Sequence, residues 1–175
     1  MHNPYAHLPQ VGTFTVTSTD VADGQTLPVA QRSGVFGAGG QDVSPQLSWS
    51  GFPAETRSFA VTVYDPDAPI PSGWWHWAVH DIPVSVTSLP SNAGAPGGAN
   101  LPPGAIMLPV DGGLTQYVGA APPAGHGPHR YFVVVHAVDV ESLGVEPGST
   151  PAVQGFALFQ HTLARATLVP VYEVK

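Results

Sequence analysis

Three observations predict a mainly β protein, a β-sandwich with one peripheral helix near its C-terminus. Short runs rich in Val, Ile, Thr and aromatic residues recur along the 175-residue chain, and Gly or Pro bounds most of them. The 20 glycines and 20 prolines separate apolar runs rather than replace them, which indicates long ordered loops. Only one segment has the apolar period of a helix. The length fits a single domain over residues 1–175, and no repeat or linker divides it.

The strand candidates carry the β-sandwich prediction. Ser58–Asp65 has apolar side chains on both faces, which is typical of a central strand in a layered fold. Trp74–Ile82 and Tyr131–Val140 have the same character. Leu168–Val174 contains Pro170, which confines that strand to a sheet edge. The remaining candidates are Thr13–Ser18, Gln46–Trp49 and the weakly patterned Leu114–Gly119.

One segment predicts a helix, near residues 152–166. Pro151 suits the first helical turn, and Thr150 suits the N-cap position before it. Apolar residues then recur at helical spacing, namely Phe156, Phe159, Leu163 and Ala166. Residues 91–104 are rich in Gly, Pro, Ala and Asn and are expected to form a loop.

The charge balance excludes several classes of partner. Twelve acidic residues face five basic ones, and the formal net charge is −7. Such a chain lacks the basic surface that binds nucleic acid or an anionic membrane. No run approaches a membrane span, and Met1–Gln10 lacks the basic-then-apolar pattern of a signal peptide. We therefore expect a cytoplasmic protein without integral membrane association, and the absence of cysteine excludes disulfides and thiolate chemistry.

Polar residues concentrate in two histidine-bearing stretches. The first is D-P-D-A-P at 65–69 with W-W-H-W at 74–77, and the second is P-P-A-G-H-G-P-H-R-Y at 122–131. Carboxylates, imidazoles and aromatic rings crowd there, although charged residues make up only 10% of the chain. Polar groups placed among Trp, Pro and Gly usually line a pocket, so we interpret the two stretches as halves of one site.

The histidines of these stretches differ in expected role. In a strand, His76, Ala78 and His80 share one face, and we expect His80 to be a core residue bonded to backbone. His76 and His129, with Arg130 and loop amides, would receive an anion, while Asp65 or Asp67 orients the imidazoles. Because a protonated imidazole donates from both nitrogens, anion affinity should fall as pH rises. His126 is expected in solvent.

Other interpretations of these residues stay open. An isolated D-P-D is more typical of an Asx-turn, in which an Asp side chain binds loop amides, and the nearby histidine motifs favour a functional role here. Two histidines with a carboxylate can ligate zinc, although His76-x-x-x-His80 would need a helix to do so. A serine hydrolase is disfavoured because the chain has no G-x-S-x-G turn. The rigid turn after Asp67 predicts a cis bond between Ala68 and Pro69.

These motifs together resemble the phosphatidylethanolamine-binding protein family, which includes the Raf kinase inhibitor proteins and a bacterial branch. The resemblance covers about Phe14 to Tyr172. It rests on D-V-S-P-Q-L-S-W at 42–49, D-P-D-A-P at 65–69, W-H-W at 75–77 and Y-V-G-A-A-P-P-A-G-H-G-P-H-R-Y at 117–131. It implies an antiparallel Greek-key β-sandwich with a small pocket for phosphate-like head groups. Carried over by motif, the ligand-binding residues are Asp65, Asp67, Pro69, Trp74, His76, Gly119, Pro122, His129 and Tyr131.

The resemblance implies a binding or regulatory protein rather than an enzyme. The expected ligand is a small anion such as phosphate or a phosphoethanolamine-like head group, and no cofactor or metal is expected. A protein kinase or a protease is the expected protein partner, and a homodimer is the expected assembly. The alternatives are a hydrolase that uses His76, His129 and Asp65 in acid–base or metal-assisted chemistry, and a lipid carrier.

Overall fold

The computed structural model describes residues 3–175, so Met1 and His2, the start of the Met1–Gln10 stretch, lie outside it. Its layers are a three-stranded sheet, a six-stranded sheet and one α-helix. Short 3₁₀ turns occupy Val29–Gln31 and Pro96–Gly98. The strands are Gly12–Thr13 (β1), Thr15–Thr17 (β2), Leu47–Ser50 (β3), Ser58–Asp65 (β4), Trp74–Pro83 (β5), Ser88–Leu89 (β6), Ile106–Met107 (β7), His129–Arg130 (β8), Phe132–Val138 (β9), Thr162–Leu168 (β10) and Val171–Tyr172 (β11), and the helix is Pro151–His161 (α1).

The large sheet has the strand order β1-β10-β9-β4-β5-β7. Strands β4, β5 and β7 follow one another, and β9 then returns to lie beside β4, which is the order of a Greek key. Its pairings are antiparallel except that of the edge strand β1 with β10. The small sheet has the order β2-β3-β6, and β11 pairs with β8. The mainly β sandwich with a C-terminal helix is therefore confirmed, with one parallel edge.

The main core lies between the two sheets. Leu47 and Trp49 of β3 point inward and meet Phe59 and Val61 of β4 and Trp77 of β5, all of them buried. The serines that alternate with Leu47 and Trp49 face away from this core, as the two-residue period of a strand requires. Fully burying each such apolar side chain contributes about 1.5–3 kcal/mol. This packing fixes the strands whose ends build the site.

Both faces of β4 are buried, as the pattern of Ser58–Asp65 predicts. On the face away from the small sheet, Ala60 and Ala78 pack in a second cluster with Leu158 of α1. Alanines at these positions leave room for the helix to approach the sheet. The helix therefore covers the outer face of the central strands.

The helix prediction is right in its start and wrong in its end. The Thr150 side chain caps α1 by accepting a hydrogen bond from the Val153 amide. The helix ends at His161, and the next residues form β10, in which Ala164 and Ala166 are buried at strand spacing. The core between the sheets selects that two-residue period over the helical one. Phe156 is 69% exposed, so the apolar stripe inferred for the helix does not face the core as a whole.

Two of the strand predictions also need correction. Thr13–Ser18 is interrupted at Phe14, because β1 pairs with β10 of the large sheet and β2 with β3 of the small one. Leu114–Gly119 forms no strand. The Tyr117 amide donates to the Gly94 carbonyl and the Val118 amide donates to the His76 carbonyl. This segment therefore bonds to a loop and to β5 in turn and does not pair with one strand.

Candidate ligand-binding pocket

The two histidine stretches meet around one cavity of about 280 Å³, here called the motif cavity. The ends of β4 and β5 and the loop before β8 supply its polar side chains. Of the nine residues expected at the site, all except Asp67 line it: Asp65, Pro69, Trp74, His76, Gly119, Pro122, His129 and Tyr131. The sequence therefore identified the residues that converge here.

Asp65 organises the turn after β4. Its Oδ1 accepts hydrogen bonds from the amides of Asp67 at 2.7 Å and Ala68 at 3.1 Å, which is the Asx-turn considered for this motif. Its Oδ2 accepts from His129. The predicted cis bond is wrong, because the Ala68–Pro69 peptide is trans. The side-chain bonds of Asp65 already reverse the chain, and the Ile70 amide closes the turn onto the Ala68 carbonyl.

Asp67 fastens the two halves of the site from outside the cavity. The Arg130 guanidinium donates to both carboxylate oxygens over 2.8 Å, and the Arg130 amide donates to Oδ2 over 2.9 Å. These bonds lower the pKa of Asp67 and raise that of Arg130. Arg130 is therefore engaged with a carboxylate and is not the free cation that anion recognition would use. Asp67 thus joins the two loops and lies outside the cavity lining, and ligand binding by Asp67 stays a prediction.

His76 reaches the motif cavity because β5 contains a bulge. Val63 pairs with Trp77 and Tyr64 pairs with Trp75, so β5 has one residue more than β4 at this point. Trp75 thereby packs on Tyr64 on the outer face, with 4.4 Å between ring centroids, while Trp77 enters the main core. His76 lies between them and lines the motif cavity.

The bulge overturns the prediction that His76 shares a face with Ala78 and His80. Ala78 belongs to the cluster under the helix. His80 is fully buried there, with Nε2 bonded to the Val145 carbonyl at 3.0 Å, the backbone-bonded core role expected for it. One extra residue in β5, which no side-chain pattern in the sequence indicates, places His76 and His80 on different faces of the sheet.

His76 and Tyr131 line the motif cavity, and each has a polar atom without a hydrogen-bond partner. His76 donates from Nδ1 to the Val118 carbonyl over 2.7 Å, and its Nε2 is buried without a partner. Burial lowers the pKa of His76, against the opposing effects of the Val118 carbonyl and Asp65. The Tyr131 hydroxyl is likewise buried and unpartnered, and burial raises its pKa. At neutral pH the Tyr131 hydroxyl is therefore a donor, and His76 Nε2 is an acceptor until it gains a proton.

His129 forms the other half of the polar cluster. Its Nδ1 lies 2.7 Å from Asp65 Oδ2, and its Nε2 lies 2.8 Å from Nδ1 of His126. Because Nδ1 faces a carboxylate, that nitrogen carries a proton. One further proton then forms the hydrogen bond between His129 Nε2 and His126 Nδ1. His126 is exposed, as expected, yet it contacts the site, and the H-x-x-H spacing at 126–129 is the signal that sequence reasoning passed over.

Gly119 holds a wall of the cavity by close backbone contact. A Cβ placed on Gly119 would lie 2.2 Å from the Arg32 carbonyl carbon and 2.5 Å from the Ser33 nitrogen, so only glycine fits. The Gly119 amide donates to Asp42 Oδ1 over 2.7 Å. This close contact between the backbones at Gly119 and Arg32 positions the segment that leads to Pro122. The apolar wall also includes residues that sequence reasoning missed, namely Phe36, Ala68, Ile70, Ala121 and Pro123.

Two features are absent from residues 3–175. No group of three or more His, Asp or Glu side chains has the arrangement of a metal site in this part of the chain. None of the helices formed by these residues is both long enough and apolar enough to cross a bilayer.

Comparisons with known proteins identify the family of this chain. Residues 17–173 match the model of the phosphatidylethanolamine-binding protein family. The chain is 45% identical to the UPF0098 protein YbcL of Escherichia coli over 95% of its own length and 91% of that protein. The crystal structure of YbcL superposes with a TM-score of 0.91, covering 94% of this chain and 100% of that one.

Two further relatives extend the comparison. Identity to the UPF0098 protein YbhB of Escherichia coli is 43% over 89% of this chain and 97% of that protein. A Mycobacterium tuberculosis protein named as a lipoprotein, LppC, is 32% identical over 94% of this chain and 75% of that protein. The chain belongs to the phosphatidylethanolamine-binding protein family, a family of binding proteins.

Proposed function

We propose that this chain is a non-enzymatic binding protein whose motif cavity takes a small anion, either phosphate or a phosphate-bearing head group. One observation carries the proposal: two residues that line the motif cavity, His76 and Tyr131, each have a buried polar atom without a hydrogen-bond partner, Nε2 and the hydroxyl. A buried polar atom left unpaired costs about 1–3 kcal/mol, so a ligand that pairs both atoms gains that free energy on binding.

The Asp65 carboxylate repels an anion, and its existing hydrogen bonds limit that repulsion. Both oxygens of Asp65 already accept hydrogen bonds, from loop amides and from His129. Its negative charge is thus distributed over donors, and an incoming oxyanion meets the Tyr131 hydroxyl and the His76 edge instead. A monoprotonated phosphate can donate to neutral His76 Nε2, whereas a fully ionised oxyanion needs His76 to be protonated.

The cavity size favours a head group over a whole lipid. A volume of about 280 Å³ equals roughly nine water molecules at their share of liquid volume. A phosphate or phosphoethanolamine group fits within that space, and acyl chains would extend outside it. The lipid-carrier alternative therefore requires a second apolar surface.

The hydrolase alternative rests on the contact between His129 and Asp65, which resembles a base held by a carboxylate. The lining residues include no Ser, Thr, Lys or Cys that a base would activate. Turnover of phosphate esters, measured with and without added zinc, tests this alternative. Multiple turnovers that stop in a His129→Gln variant would overturn the non-enzymatic assignment.

Tyr131→Phe and Tyr117→Phe form a matched pair of test variants. Both tyrosines are buried, but the Tyr117 hydroxyl donates to the Gln31 carbonyl over 2.9 Å and does not line the cavity. Tyr131→Phe should weaken phosphate binding about 10-fold or more, because a hydrogen bond to a charged group contributes about 1.5–3 kcal/mol. It should leave the free energy of unfolding unchanged. Tyr117→Phe should lower stability and leave phosphate affinity unchanged, and equal affinities in both variants would refute the proposal.

The expected protein partner, assembly and location stay predictions. A kinase or protease partner is checked by inhibition assays with and without phosphate in the motif cavity. A homodimer is checked by sedimentation over a range of concentrations. The cytoplasmic location is checked by cell fractionation.

A further inference from the structure

A second cavity of about 290 Å³ lies on the opposite face of the large sheet, beneath α1. We call it the helix-side cavity, and it is bounded by strands β4, β5, β9 and β10, by α1 and by the segment that contains Tyr5. The alternation of side chains separates it from the motif cavity: Tyr64 and Trp75 line this one, whereas their neighbours Asp65 and Trp74 line the other. None of the sequence motifs points to it.

Two residues that line the helix-side cavity have buried polar atoms without partners. Gln154 is fully buried, and its Oε1 accepts no hydrogen bond, although its amide group contacts His80. His136 is 3% exposed, its Nε2 lies 3.1 Å from the Thr62 hydroxyl, and its Nδ1 is unpartnered. Buried polar groups normally find a partner in the protein, in water or in a ligand. Two such side chains in one cavity point to a built site.

The charge in this cavity is positive. The Arg165 guanidinium lines it, with Nε unpartnered, and forms no ion pair with any carboxylate of residues 3–175. Arg165 lies over the Tyr5 ring at 5.5 Å from its centroid. The Tyr5 hydroxyl is buried close to Thr62, and burial raises the pKa of Tyr5 to about 12, so the hydroxyl keeps its proton. A half-buried cation without a counter-ion, beside a protonated hydroxyl, is complementary to a carboxylate.

The rest of the wall is apolar and partly aromatic. Tyr64 and Trp75 stack along one side, and Leu158 and Phe159 of α1 form another. The helix face toward the cavity carries the small residue Gly155, and a Cβ built there meets no atom within 4 Å. A glycine inside a helix costs about 0.5–1 kcal/mol relative to alanine. The sequence thus leaves open space where a larger residue would stabilise the helix.

We propose that the helix-side cavity is a second ligand site and that it takes a small aromatic carboxylate. The carboxylate oxygens pair with the Arg165 guanidinium and the Tyr5 hydroxyl, while the ring packs against Tyr64 and Trp75. The volume of about 290 Å³ equals roughly ten water-sized groups, which matches a single ring that bears a carboxylate. This site is independent of the anion site in the motif cavity.

Benzoate is the probe for this proposal, and benzamide is its neutral counterpart with the same shape. Titration of the protein with benzoate, followed by amide NMR shifts, should move residues around Arg165 and Gly155, and benzamide should bind at least ten-fold more weakly. Inorganic phosphate added at saturation should leave benzoate affinity unchanged. Loss of benzoate binding on phosphate addition would place benzoate in the motif cavity and overturn the proposal.

Gly155→Leu blocks the cavity without removing any hydrogen bond. Leucine is a better helix former than glycine, and its side chain has open space to fill, so the variant should fold. It should weaken benzoate binding at least ten-fold and leave phosphate affinity unchanged. Arg165→Gln should weaken benzoate and bring its affinity close to that of benzamide. Failure of the parent protein to bind benzoate, or equal binding by Gly155→Leu, would show that water alone fills this space.

Discussion

His129 Nδ1 donates a hydrogen bond to Asp65 Oδ2 over 2.7 Å, and the two side chains are only 1% and 5% exposed. A buried pair of this kind depends on both partners, because removing one leaves the other without compensation. The same two residue types meet on the surface, where His161 lies 2.8 Å from Asp139 with both side chains more than one-third exposed. The two pairs differ in burial and hardly at all in distance.

Asp65→Asn should therefore lower the free energy of unfolding by about 1–3 kcal/mol. The amide offers one acceptor oxygen, which cannot serve both the loop amides and His129. Where the amide NH₂ faces His129, the imidazole must change tautomer, and nitrogen NMR shifts of the ring report that change. Asp139→Asn is the control and should cost less than about 1 kcal/mol, as exposed pairs do. Equal losses in urea unfolding of the two variants would contradict this prediction.

Anion affinity should fall as pH rises. Burial lowers the pKa of His76, so this ring is neutral in the free protein at neutral pH, with Nε2 able only to accept. A ligand that cannot donate a proton requires protonated His76, and proton uptake makes binding stronger at lower pH. Sulfate keeps its charge between about pH 5 and 8, so its calorimetric titration isolates the protein's contribution. His76→Gln should flatten the profile, and a parent affinity that does not change with pH would contradict the assignment.

Stability should decrease in mild acid because of His136. Burial, with a smaller contribution from Arg165, lowers the pKa of His136 from 6.5 to about 3. The unfolded chain therefore binds this proton first, so the stabilisation is complete above the unfolded pKa and is lost as pH falls from 6.5 toward 3. The slope for one such group is about 1.4 kcal/mol per pH unit. Urea unfolding at several pH values should show a shallower slope for His136→Gln, and an unchanged slope would contradict this prediction.

Two glycine substitutions should have opposite effects on stability. Gly119→Ala forces a Cβ to 2.2 Å from the Arg32 carbonyl carbon, so the loop must shift and the protein should lose stability and phosphate affinity together. Gly155→Ala adds a Cβ in open space within α1 and should gain about 0.5–1 kcal/mol. Thermal unfolding of both variants checks the pair. Stabilisation by Gly119→Ala would show that the backbone contact between Gly119 and Arg32 is not tight.

The sequence predicted the long strands and the convergence of the two histidine stretches, because both depend on strong local patterns. Ser58–Asp65 is apolar on both faces and is a central strand. The end of α1 was missed, since Leu163 and Ala166 fit a helical period equally well until the core between the sheets selects the strand. Phe14 interrupts a predicted strand because its neighbours pair with different sheets, which no local pattern reports.

The sequence predicted most of the polar lining of the motif cavity but not its hydrogen bonds. Asp67 belongs to the motif, yet it binds Arg130 outside the cavity, and only the fold brings those side chains together. The helix-side cavity was not predicted, because His136 and Arg165 are isolated in the sequence and meet only as paired residues of β9 and β10. Motifs report residues that lie close in the chain, whereas this cavity draws on distant ones.

The extra residue of β5 determines which side chains line each of the two cavities. His76 reaches the motif cavity only because Trp75 is displaced to the opposite face, where it forms a wall of the helix-side cavity. Deleting one residue here would restore the strict alternation of side chains along β5. The residues at this end of the strand would then change faces, so a single deletion would alter the lining of both cavities at once. An insertion or deletion at this end of β5 therefore cannot change the lining of one cavity without changing that of the other.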